Sequence, residues 1–179
     1  MQKTRKALLA SLLIAATVAL GYALAGIPNV ELMTVTVFIA GFLLGGALGF
    51  FVGVGAMLLH STFNPLGMAH PFLLGAQIAG FALIGLCGAW LGPRLAAMPS
   101  RWFALVLCAA TGFMLTLVYQ VLVNVGSFFA FSSSDDHLLT YVKLGLVFTS
   151  LHLAWNTALF ATVLLPTLKV LERYRREIG

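Results

Sequence analysis

The chain alternates between long uncharged apolar blocks and short polar punctuation. Residues 7–30, 32–93, 102–134 and 144–168 contain no Asp, Glu, Lys or Arg. Uncharged apolar stretches of about 18 residues or more read as membrane-spanning helices. The block 32–93 is too long for one span, and two places can divide it. Asn64-Pro65-Leu66-Gly67 is strong turn chemistry, and Gly45-Gly46 offers a weaker break. Taking both breaks predicts an all-α, integral membrane six-helix bundle. It is a single transmembrane domain over 1–179, with helices near 7–25, 30–44, 47–61, 71–91, 102–124 and 138–168. The second and third are shorter than a usual span of about 20 residues, so one of them is expected to be tilted, broken or shielded by neighbours.

Charge supports the even count. With six spans both termini share one side. Lys3, Arg5, Lys6, Arg94, Arg101, Lys169, Arg173, Arg175 and Arg176 then all face the cytoplasm, while Glu31, Asp135 and Asp136 face outward. Five spans would put the Arg94/Arg101 loop and the basic tail outside, against the positive-inside rule. Only 8% of residues are charged, against roughly a quarter in soluble domains, which leaves little for a soluble part. The net charge of +5 is accounted for by topology and needs no nucleic-acid partner. Cys87 and Cys108, on different helices, read as ordinary buried thiols.

The N-terminal segment has the look of a signal peptide, with basic residues, an apolar run and Ala23-Leu24-Ala25. Its apolar run exceeds the usual 7 to 15 or so residues, and it is expected to be a retained helix. Ala7, Ser11, Ala15, Ala19 and Ala23 recur every four residues, a stripe of small side chains along one helix. That stripe either packs within the protein or receives another subunit.

Polar groups within apolar helices are expensive, so their distribution is informative. Asn29, Glu31, His60, Asn64, His70 and Gln77 fall on the outer side of this topology. So do Tyr119, Gln120 and Asn124, together with Asp135, Asp136, His137, Tyr141 and Lys143. His152 and Asn156 share a face deeper in the last helix, roughly 14 and 20 Å below Lys143. The inner helix ends are mostly apolar or glycine-rich. The pattern predicts an outward-facing polar cavity capped by loops, with the third outer loop, residues 125–137, as a lid. The candidate solute-binding residues are Asn64, Gln77, Tyr119, Gln120, Asn124, Lys143, His152, Trp155 and Asn156. Lys143 either pairs with a solute carboxylate or phosphate, or snorkels outward or meets Asp135 or Asp136. His152 and Asn156 either meet solute or bond neighbouring helices.

Several runs resemble a known family. Ile27-Pro28-Asn29-Val30-Glu31-Leu32-Met33-Thr34, then Ala40-Gly41-Phe42-Leu43-Leu44-Gly45 and Gly49-Phe50-Phe51-Val52-Gly53, look like the first third of S components of energy-coupling-factor (ECF) transporters. Phe63-Asn64-Pro65-Leu66-Gly67 and Gln77-Ile78-Ala79-Gly80 extend the likeness, as does the region of His152, Trp155, Asn156 and Thr157. The resemblance implies a vitamin- or micronutrient-binding membrane subunit with an extracytoplasmic pocket. It implies a partner membrane protein, coupled to ATPases, that docks on small residues of the first helix, here Ala7, Ser11, Ala15, Ala19 and Ala23. It implies residence in a bacterial or archaeal cytoplasmic membrane. The loop between the second and third helices departs from the family, reading Gly45-Gly46-Ala47-Leu48-Gly49 where a Pro-Arg pair is usual.

No metal or other cofactor is expected. A nickel or cobalt subunit of this kind would carry a histidine close after the first methionine, and this chain begins Met1-Gln2-Lys3. Cys87, roughly 24 Å along its helix from Pro71, is at the wrong end to meet a cobalamin cobalt. Three rivals remain. A scaffold resembling the rod-shape protein MreD would have an interaction surface and no solute pocket. A haem subunit would need His60 and His152 at matched depth. An intramembrane enzyme would need an acid–base or nucleophile set that the spans do not offer; the chain is read as a non-enzyme.

Overall fold

The computed structural model describes residues 2–65, 67–133 and 137–178. All regular structure among them is helical: α1 (Gln2–Ala23), α2 (Met33–Leu44), α3 (Gly46–Thr62), α4 (Pro71–Ala96), α5 (Arg101–Phe131) and α6 (Leu138–Leu159), with α6 continuing through a π turn (Phe160–Leu164) into α7 (Leu165–Ile178). Four helices are long and apolar enough to cross a membrane: Lys3–Ala23, Pro71–Ala96, Arg101–Phe131 and the continuous Leu138–Arg176.

The break at Gly45 is present, and its physical cause is visible. Gly45 has φ of 88°, a left-handed conformation that glycine adopts without penalty, and it separates α2 from α3. The second break also forms a turn, in which Gly67 N–H donates to the Asn64 carbonyl at 2.9 Å. Helix α2 has 12 residues, about 18 Å of rise against about 30 Å of membrane hydrocarbon. It is the shielded element: nine of its residues are buried, including Val37, Phe38, Ala40 and Phe42.

Neighbouring helices reach α2 through glycine. A Cβ on Gly41 would collide with the Gly85 carbonyl, and one on Gly85 would collide with the Gly49 carbonyl. Backbones of α2, α3 and α4 therefore meet directly, the arrangement small residues permit between apolar helices. Phe38 packs edge-on against Phe160 of the π turn, ring centroids 5.4 Å apart. Pro166 follows this wider turn; its ring and missing N–H disfavour an ordinary α-helical interior there.

Helix ends differ from the sequence expectation in several places: α1 starts at Gln2 rather than 7, α2 at Met33 rather than 30, and three helices run on well past their expected C-terminal ends. α5 runs to Phe131, so most of the expected third-loop lid is helix rather than loop. Phe128, Phe129 and Phe131 instead join His70, Phe72 and Tyr141 in a chain of ring contacts between 5.6 and 6.2 Å. α4 continues to Ala96, past the expected end at 91. The last helix continues to Ile178 rather than 168. The added turns of α5 are largely apolar and aromatic, whereas the last helix is extended by charged turns in which Glu172 accepts from Arg175 and Arg176. Asp135 and Asp136 lie outside the described residues.

Candidate functional site

The route to the site starts in the connection after α1. Val30 N–H donates to the Ile27 carbonyl at 3.2 Å, with Pro28 and Asn29 between them and Asn29 at φ of 59°. Pro in second place and Asn at positive φ in third suit a type II turn. The turn delivers Glu31 to the start of α2, where its Oε2 accepts from Thr34 N–H at 2.8 Å and satisfies one of the free N–H groups of the first helical turn.

The other carboxylate oxygen faces α6. Glu31 Oε1 accepts from Asn156 Nδ2 at 2.8 Å and lies 3.3 Å from His152 Nε2. Trp155 Nε1–H donates to the Glu31 backbone carbonyl at 2.7 Å. The Glu31 side chain is 17% exposed and that of His152 6%, so this is a largely desolvated cluster. A buried carboxylate persists only when hydrogen-bonded on several sides, and here Thr34, Asn156 and His152 surround it.

Above it lies a cavity of about 280 Å³. The 24–31 connection forms one wall, with Glu31 and Asn29. His60 and Asn64 contribute from α3 and the turn after it, and Gln77 and Phe81 from α4. Tyr119 and Gln120 enter from α5, and His152 from α6. Gln77 Oε1 accepts from Ser61 Oγ at 2.9 Å. Tyr119 stands edge-on to both Phe81 and His152, at 5.4 and 5.8 Å. Gly21 makes room for this wall, since a Cβ there would fall 2.5 Å from Met33 Sδ and 2.7 Å from the His60 ring.

The sequence-predicted residues divide into three groups. Asn64, Gln77, Tyr119, Gln120 and His152 line the cavity together. Trp155 and Asn156 are outside the lining and grip Glu31. Asn124 and Lys143 are also outside it: Asn124 packs by Gly145, and Lys143 is exposed. Glu31 was recognised as an outer-loop charge but not as a site residue. Its signal was present, for it is the only acidic residue before Asp135. His60, one of the outer polar groups but not among the candidate solute-binding residues, shares the cavity with His152, and it also stacks on Tyr22 at 4.9 Å.

Elsewhere, Ala7, Ser11, Ala15, Ala19 and Ala23 are all exposed, while Ala10, Thr17 and Gly21 form the buried side of α1. Those five small residues are therefore not covered by the rest of the chain. Cys87 and Cys108 are free thiols. Among the described residues no group of three or more His, Cys, Asp or Glu is placed to hold a metal ion.

These features define a class: an all-helical protein with several helices apolar enough to cross a membrane and a cavity of mixed apolar and polar lining. Comparison with protein-family models, with characterised proteins and with solved structures finds no match to this chain.

Proposed function

We propose that this protein is the solute-binding membrane subunit of an ECF-type uptake system, taking up a vitamin or related micronutrient. The observation that carries the reading is the cavity itself. Polar side chains from the 24–31 connection and from α3, α4, α5 and α6 converge on one space in an otherwise apolar bundle. Interhelical glue needs polar groups paired with one another, whereas Gln77 keeps its amide donors and His152 keeps an unpaired Nδ1. The sequence runs that resemble S components include Glu31, Asn64, Gln77, His152 and Asn156.

In this reading the six-span topology puts both termini in the cytoplasm of a bacterium or archaeon and opens the cavity outward. The exposed small-residue side of α1 receives the membrane subunit that couples the protein to ATPases. Solute is captured from outside, and the subunit then reorients in the bilayer, a movement favoured by the long charge-free apolar blocks of the chain.

Native mass spectrometry of the protein purified from its own host tests this. The expected result is a stoichiometric small molecule that is lost in Gln77→Ala. An empty protein carrying another membrane protein, unchanged by that substitution, would replace this reading with an MreD-like scaffold.

A further inference from the structure

Resting on the solute-binding reading, we infer that the cavity takes a compact planar organic cation, an amine- or amidine-bearing ring, with Glu31 as its counter-charge. The lining contains one carboxylate and, among the described residues, no Lys or Arg. Lys143, the cation nearest in sequence to the α6 part of the site, is exposed and outside the lining. An anionic solute would therefore meet a like charge in a poorly solvated space with nothing to offset it.

The hydrogen-bonding pattern points the same way. A carboxylate only accepts, so in a neutral imidazole the 3.3 Å approach of His152 Nε2 to Glu31 Oε1 puts the ring proton on Nε2. Its Nδ1 is then an acceptor; it is buried and has no partner, in a residue 5% exposed that lines the cavity. Glu31 Oε2 has one hydrogen bond, from Thr34 N–H, and keeps accepting capacity. The open acceptor capacity at the cavity is therefore that of the Glu31 carboxylate. Phe81, Tyr119 and His60 supply flat aromatic groups suited to a planar ring and to cation–π attraction.

A protonated His152 would instead neutralise Glu31 and make the cavity indifferent to solute charge, so the inference has a definite opposite. Three probes of one shape separate the cases: benzamidine, benzamide and benzoate, titrated calorimetrically into the full chain in uncharged detergent. The expected order is benzamidine tighter than benzamide by about tenfold or more, with benzoate weakest. In Glu31→Gln the benzamidine advantage should collapse; if that variant does not fold, the wild-type order decides alone. Benzamide or benzoate binding as tightly as benzamidine overturns the charge assignment and leaves the solute-binding reading standing. If no probe binds, the charge of the co-purified solute decides, a neutral or anionic one overturning the inference. No probe binding and no co-purified solute would bring down the solute-binding reading itself.

Discussion

Asn156 Nδ2 donates a 2.8 Å hydrogen bond to Glu31 Oε1 and so ties the connection after the first helix to the last long helix, 125 residues away. Three consequences of the fold, and one of the proposed orientation, can be measured.

The Glu31–Asn156 bond should be a strong one, because one partner is ionised and the other fully buried. Asn156→Ala is expected to destabilise the protein by about 2–3 kcal/mol, with a coupling to Glu31→Gln of about 1.5 kcal/mol or more in a double-mutant cycle. Reversible unfolding in mixed micelles gives both values. Additive effects of the two substitutions would show that the bond does not link the segments.

Gly85 and Gly75 lie on the same helix and should respond in opposite directions. Gly85→Ala drives a methyl into the Gly49 carbonyl and should cost about 3 kcal/mol or more. Gly75→Ala meets nothing within 4 Å and should be neutral or stabilising by up to about 1 kcal/mol. Equal effects in the same unfolding assay would contradict direct backbone contact between α3 and α4.

The exposed face of α1 should tolerate bulk. Ala15→Phe is expected to change stability by no more than about 0.5 kcal/mol while reducing recovery of a co-purifying membrane partner. A loss of well over 1 kcal/mol would mean that the stripe packs inside the protein after all.

The proposed orientation predicts a labelling pattern in intact cells. With Cys87 and Cys108 replaced by alanine, a cysteine at exposed Met68 should react with a membrane-impermeant maleimide, and one at exposed Ala97 should not. The reverse pattern would invert the topology and place the cavity on the cytoplasmic side.

Much of the local architecture was legible before any coordinates. Charge-free apolar blocks mark helices because unpaired backbone groups and charges are both costly in an apolar setting. Gly45 and Asn64-Pro65 mark breaks because their backbone preferences act within a few residues. The ends of α4 and the last helix were less legible because hydropathy falls before helical hydrogen bonding does, and that of α5 because Gly126 and Ser127 interrupt an apolar run without ending the helix. Five of the nine proposed binding residues line the cavity, because polar groups in apolar helices have few other uses.

The sequence by itself determined an all-helical, sparsely charged chain, the positions of its two breaks and a polar bias toward one end. Only the tertiary structure decided which polar groups meet. It brought the side chain of Glu31, still in the connection after α1, against His152 and Asn156, excluded Lys143 from the lining, and left the small-residue side of α1 uncovered. The reason is one of range: turns and helices are set by neighbours a few residues apart. The partners of Glu31 instead depend on how glycine contacts let α2, α3 and α4 close together, and on where the Pro28-Asn29 turn then carries its carboxylate.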